Sequence, residues 1–488
     1  MSLEDLKEAD ASSVSTTPFS QKGVDSIDHS IRLSTYYFIL SGVSWLVLAS
    51  ICALIVGFKL IDPSILGAFE MLSYGRLQAA LKSALLMGWV SNAIFAISLW
   101  IMARLSAKPI EHGGILLIAG IIWNIGLTIG LLGILMGDMR PFAWFELPSY
   151  ASGIFLLSYS LIAVWAIVTF RHRNHLFSYV SQWYILGALL WFPWVFVVAQ
   201  FFLNYFPSRG VMQSIVHAWY QNNVFYLFVA SIGLASVYYI IPKVLNVAVR
   251  SYHLTALAFW SFALFSSWAS FTYLIGSPIP VWLITTSIVS AIALLVPLSI
   301  FSINFISTLN GRLSQALRIP YMRFVVFGIG AFLTHLALKL VLSIRSIDAV
   351  AHFTLIHEGL NWHLLYAFFS MVAFGMFYYL LPVLLKEQWK SQILVKIHFG
   401  ISAIGMILLL ISMYVGGWIQ GQQFNQIELS FIEIIIGLKF WLQLQFVALI
   451  LIFLGNVLFF FNIVSLFCIR FIRSFKNPIS SQIEGVVS

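Results

Sequence analysis

Between Asp348 and Pro382 the chain reads DAVAHFTLIHEGLNWHLLYAFFSMVAFGMFYYLLP. Three histidines (His352, His357 and His363) and one glutamate (Glu358) fall in the first half of a stretch that is otherwise apolar. Imidazoles and a carboxylate so placed can ligate a metal, or they can form a hydrogen-bonded polar network or docking rim near a membrane surface. An ionisable side chain at membrane depth costs roughly 2.5–3.5 kcal/mol on insertion scales, so the cluster marks a candidate functional site.

The elements that must carry these residues follow from composition. Of 488 residues 61% are hydrophobic and 9% charged, the balance of a polytopic all-α membrane protein rather than of a water-soluble core. About twelve apolar runs of 20–30 residues are each long enough to cross a hydrocarbon layer of about 30 Å. They lie near 33–58, 77–103, 113–137, 148–170, 178–205, 213–242, 253–275, 279–308, 321–344, 350–384, 394–419 and 434–468. Residues 1–30 are polar and read as a disordered cytoplasmic tail without a cleavable leader, and 471–488 as a second tail. The single domain expected is 31–470, and no internal repeat is legible.

The formal charge of +9 is explained by orientation. With the N-terminus inside, the outer segments hold only Lys59, Arg76, Arg140, Arg209, Arg345 and Lys439, while nearly all other Lys and Arg fall on the inner side. That bias puts both termini in the cytoplasm of a bacterial inner membrane and removes nucleic acid as the reason for the charge. Lys82 and Lys339 are left over, inside the second and ninth spans. Cys52 and Cys468 sit in separate apolar runs with no metal spacing, and read as small hydrophobes.

A series of short motifs gives the chain a resemblance. They are GRL at 75–77, SNA at 91–93, WY at 219–220, YYIIPK at 238–243, SYHL and AFW within 251–260, FGMFYYLLP at 374–382, and IHFGISAIGM through SMYVGGWIQG at 397–421. In this order and nearly without gaps they resemble the catalytic subunit (subunit I) of heme-copper oxidases. The closest likeness is to the C-family, the cbb-type cytochrome c oxidases related to nitric oxide reductases. The resemblance implies the twelve-helix subunit I arrangement, two hemes and one copper held by six histidines.

Carried over by motif, those six positions hold other residues. The helix-two heme ligand falls on Leu81 and the helix-ten pair on Leu360 and Trp362. The copper positions fall on Asn222, Thr272 and Tyr273, and the cross-linking tyrosine on Ser266. The propionate arginine becomes Gln445 and the helix-nine glutamate Leu338. The expectation is therefore a chain without heme, copper or other metal and without catalytic residues. Leu81, Leu360, Trp362 and Gln445 would fill the vacated volume, with Lys82 and Lys339 as intramembrane charges beside it or snorkelling to the headgroups.

Three functional readings follow. The first is a redox-inactive homologue acting as a structural or docking subunit of a respiratory complex, with membrane-anchored c-type cytochromes or oxidase subunits as partners besides membrane lipid. Its outward acids Asp62, Glu70, Asp138, Glu146, Asp348, Glu358, Glu428 and Glu433 would meet a basic partner. The second is an oxidase or nitric oxide reductase whose ligands have moved to His357, His363 or His352. It lacks a helix-two partner, since 77–103 contains no histidine and offers only Met87 near Leu81. The third is a proton-conducting subunit, with Tyr238, Tyr239, Ser251 and Tyr252 as the remnant of the family's inner proton path. His398, His217 and His335 read as structural histidines.

Overall fold

The computed structural model describes residues 21–174 and 177–476. Twelve of its helices are long and apolar enough to cross a membrane, and the described residues contain no strand. They are α1 (Gln21–Lys59), α2 (Tyr74–Ser106), α3 (Gly113–Met136), α4 (Ser149–Arg171), α5 (Val180–Tyr205) and α6 (Val211–Leu245). The second half is α7 (Tyr252–Leu274), α8 (Val281–Leu309), α9 (Pro320–Val341), α10 (Leu355–Leu385), α11 (Gln392–Phe424) and α12 (Phe431–Lys476). Residues 21–30, expected as tail, are instead the first turns of α1. Asp28 is buried there and binds the Arg104 guanidinium at the end of α2 through two hydrogen bonds of 2.5 and 2.7 Å. α12 likewise runs past 470 to Lys476. The remaining parts of both expected tails, and His175, lie outside the described residues.

Burial sorts the spans into two shells. The apolar windows of α2 and α6 are 100% buried and that of α10 is 83% buried, against 39–56% for the other nine. The outer nine keep a lipid-facing stripe, as with Ile118, Ile125 and Leu132 on α3, spaced seven residues apart.

The three central helices also share a local design that the sequence does not display as a repeat. Each contains a π-helical stretch: Ala84–Val90 in α2, Val224–Ala230 in α6 and His363–Ser370 in α10. At the end of each stretch a serine bonds the carbonyl five residues back: Ser91 to Leu86, Ser231 to Tyr226 and Ser370 to Leu365. Each of the three helices then stops on a left-handed residue, Ala107 (φ 53°), Asn246 (φ 51°) and Lys386 (φ 54°). That residue's N–H closes on the carbonyl of Ala103, Pro242 or Pro382. Widened turns of this kind concentrate at functional sites. Here they follow closely on Leu81, Asn222 and Trp362, so the same local design recurs at every fourth span.

The connections 60–73, 137–148, 206–210, 275–280, 342–354 and 425–430 lie on the face opposite the described ends of α1 and α12. The fifth of these carries a short helix, Arg345–Ala351, folded down onto α11. It can approach because a Cβ at Gly421 would collide with the Val350 carbonyl and one at Gly417 would lie 2.8 Å from Ile356 N.

Candidate functional site

Beneath that face, the residues singled out by the sequence fall into three groups. The first centres on Lys339 of α9. Its side chain is buried, and Nζ donates to Asn222 Oδ1 of α6 at 3.1 Å. The ammonium also stands 4.8 Å from the ring centroid of Tyr273 and 5.3 Å from that of Tyr226. Asn222 passes the connection on, donating Nδ2 to the Ser266 carbonyl at 2.7 Å. No carboxylate among the described residues lies within ion-pair distance of Lys339. So Lys339 does not snorkel; it joins α6, α7 and α9 through residues at copper positions assigned by the resemblance. Tyr226 was not anticipated by the sequence reading, and its hydroxyl lies 2.7 Å from His335 Nε2.

The second group is a carboxylate-lysine cluster. Lys82 Nζ lies 3.5 Å from Glu358 Oε2 and 5.3 Å from the Trp144 ring. Asn361 Nδ2 donates to the same carboxylate at 3.4 Å, and Gln221 Nε2 to Asn361 Oδ1 at 3.4 Å. Glu146, in the loop between α3 and α4, is buried beside it. Its Oε1 accepts from the Trp144 N–H at 2.8 Å, while Oε2 has no hydrogen-bond partner. Burial pushes its carboxyl up to about 7, against the opposing pull of the Lys82 charge. The unfolded group would release its proton near the usual 4.5. The folded state then binds more protons between those values, so this contribution to stability is present below pH 4.5 and lost as pH rises through 7. Thermal unfolding of Glu146→Gln should lack that component, its stability gap to the parent drifting by on the order of 3 kcal/mol across the window. Parallel pH profiles would contradict this.

The third group is Asp348, His352 and His357. His352 Nδ1 lies 3.4 Å from Asp348 Oδ2 and His357 Nε2 lies 3.6 Å from Asp348 Oδ1. Burial raises the Asp348 carboxyl, but the two imidazoles outweigh it and hold the group below the usual carboxylate range. His363 belongs elsewhere. Its Nδ1 lies 2.9 Å from the Tyr414 hydroxyl and its Nε2 3.3 Å from Thr334 Oγ1, so both nitrogens face α9 and α11. The histidines that look like one cluster in sequence are thus two separate ones.

One expectation needs correction. Glu146 and Asp348 are buried and Glu358 is half-buried, so the outward acidic face consists of Asp62, Glu70, Asp138, Glu428 and Glu433. Glu146 and Asp348 are carried inward by the packing of their connections, and Glu358, on the first turn of α10, is turned toward Lys82. Of the inner quartet, Tyr238, Tyr239 and Tyr252 line a cavity of about 350 Å³ with Tyr179 and Lys243, but Ser251 does not. Tyr238 Oη accepts from Asn304 at 3.1 Å and Tyr252 Oη from the Val180 N–H at 3.2 Å.

The volume-filling candidates occupy two places. Leu81 and Trp362 face one void between α1, α2, α10 and α12 of about 10 Å³, room for one water. Leu360 packs with Leu342, Ala351 and Ile356, and Leu338 lies against the same cluster. Gln445 is buried with an unpartnered Oε1. His398 Nδ1 meets the Tyr378 hydroxyl at 3.0 Å, and His217 Nε2 the Ala143 carbonyl at 2.9 Å.

With this geometry in place, comparison with known proteins is decisive on family. The family described as "Cytochrome C and Quinol oxidase polypeptide I" matches residues 33–451. The chain belongs to this family. Among curated oxidase relatives it is similar to cytochrome c oxidase subunit 1 of Rhodobacter capsulatus, 25% identical over 80% of this chain and 76% of the relative. A cbb3-type cytochrome c oxidase subunit of Stutzerimonas stutzeri is 24% identical over 80% of this chain and 84% of its own length. A solved heme-copper terminal oxidase dimer has the same fold, with a TM-score of 0.72 at 15% identity over 88% of this chain and 84% of that one. The oxidase polypeptide I fold, multi-pass and cbb-like, is therefore the frame in which the lysine and histidine groups sit.

Proposed function

We propose that this chain is a redox-inactive homologue of cytochrome c oxidase subunit 1, serving as a structural and docking subunit of a respiratory membrane complex. The observation that carries the reading is the seat of the Lys339 ammonium, bonded to Asn222 and facing Tyr273. The lysine side chain fills the space at these positions and its Nζ takes the Asn222 oxygen, so no imidazole and no open coordination site is left there. Around Leu81 and Trp362 the side chains offer no imidazole and leave about 10 Å³. The two hemes and copper implied by the family do not fit these residues, and no electron-transfer step is assigned to them. Relocation to His363 is disfavoured because both its nitrogens are engaged away from α2.

The docking role rests on the exposed acids Asp62, Glu70, Asp138, Glu428 and Glu433 on the face opposite the described ends of α1 and α12. By the Lys and Arg bias that face is periplasmic in a bacterial inner membrane, with both termini cytoplasmic. Membrane-anchored c-type cytochromes or oxidase subunits with a basic surface are the matching partners.

The test is a reduced-minus-oxidised visible spectrum of the purified chain, with a pyridine hemochrome assay and metal analysis for iron and copper. The expected result is no Soret band and no stoichiometric iron or copper. A stoichiometric b-type spectrum would overturn the reading.

A further inference from the structure

We propose that Asp348, His352 and His357 form a binding site for a divalent transition ion of the zinc class, with a fourth position open to water. The ligand atoms of the three residues all lie within 4.8 Å of one another, the one such convergence of histidine, cysteine and carboxylate among the described residues. The two carboxylate-imidazole separations, 3.4 and 3.6 Å, are too long for good hydrogen bonds, which fall at about 2.7–3.2 Å. His352 Nδ1 faces Oδ2 and His357 Nε2 faces Oδ1, so the carboxylate presents one oxygen to each imidazole across a gap that an ion held by all three side chains would fill.

The polar atoms are otherwise unused. Asp348 Oδ1, His352 Nδ1 and both ring nitrogens of His357 are buried without a hydrogen-bond partner, and the Asp348 side chain is only 2% exposed. A shielded carboxylate flanked by two unpaired imidazoles is a costly arrangement that a cation satisfies in one step. Two nitrogens and a carboxylate select zinc-class ions over magnesium or calcium, which favour all-oxygen shells. The imidazoles are each 19% exposed, which leaves an entry path from the surface.

The backbone holds the site before any ion arrives. Phe353, directly after His352, is left-handed at φ 60°, a conformation a bulky residue adopts only when its surroundings impose it. The surroundings here are the close approach at Gly421, the Gln420 side chain accepting from the Leu355 N–H at 3.0 Å, and the Tyr273 ring 5.0 Å from His357. The three proposed ligands are distinct from the residues that carry the redox reading; Tyr273, which faces both Lys339 and His357, supplies no ligand atom.

The experiment uses the full chain in detergent, purified on a histidine-free tag, chelator-stripped, and titrated with Zn²⁺ by calorimetry and Co²⁺ by visible absorption. One ion per chain is expected, with the intense visible band of tetrahedral Co²⁺. The double variant His352→Ala/His357→Ala should weaken Zn²⁺ binding by more than the 10–100-fold typical of losing a mere supporting group. X-ray absorption of the zinc-loaded parent, which needs no variant to fold, should show two imidazoles. Absence of stoichiometric binding, a weak octahedral Co²⁺ band, a shell without imidazole, or unchanged affinity in a folded double variant would each overturn the proposal. Iron remains separately readable by hemochrome, so failure here is distinguishable from failure of the redox-inactive reading.

Discussion

Replacing Asn222 by leucine should cost the protein about 3 kcal/mol or more, whereas Lys339→Met should cost less, about 1 kcal/mol. The asymmetry follows from burial. Lys339 is 3% exposed and its ammonium has one hydrogen-bond acceptor, Asn222 Oδ1, with two aromatic faces for the rest. Removing the acceptor strands a charge in a low-dielectric interior. Removing the lysine orphans only the neutral Asn222 Oδ1, while Nδ2 keeps its bond to the Ser266 carbonyl. Methionine also fills the lysine's volume, so no large cavity opens. The double variant Asn222→Leu/Lys339→Met should recover most of the loss. Denaturant or thermal unfolding in micelles, followed by tryptophan fluorescence, reads all three. If Lys339→Met destabilises as much as Asn222→Leu, the lysine is a net stabilising tie and not a tolerated occupant of the pocket.

Gly421→Ala should destabilise the outer turn by roughly 2–3 kcal/mol, the upper part of the range of about 1–3 kcal/mol for forcing extra volume into a packed contact. The clash is with backbone: the new methyl would run into the Val350 carbonyl, and a flexible side chain cannot yield there. Relief requires Arg345–Ala351 to lift from α11, which carries Asp348 away from His357. Zn²⁺ affinity should therefore fall together with stability, although no ligand has been changed. Gly400→Ala on the same helix, where nothing lies within 4 Å of the new methyl, is the control and should change neither. A Gly421→Ala variant with parental melting and affinity would mean that the turn does not depend on this approach.

The spans, their number and their orientation bias were legible in the sequence because each depends on local quantities. A run of 20 or more apolar residues is a membrane helix wherever its neighbours lie, and the family motifs fix the order of the helices. What each ionisable side chain meets was not legible. α2, α6 and α10 are apolar all round because they are buried all round, so hydropathy gives them no face and no rotational setting. Their shared π-helical turns are likewise invisible, being set by serines five residues from their acceptors rather than by a recurring motif.

The histidine-rich stretch shows the division most sharply. By sequence alone it is one intramembrane cluster, and that much marks it as a site worth attention. Only the tertiary structure splits it, sending His363 to Tyr414 and His357 to Asp348, and only the structure takes Lys339 inward to Asn222, which lies 117 residues away in the chain. The physical reason is common to all three. Spacing along a helix fixes which side chains share a face, but a buried polar group is satisfied by whatever another helix presents to that face, and helix packing alone decides this.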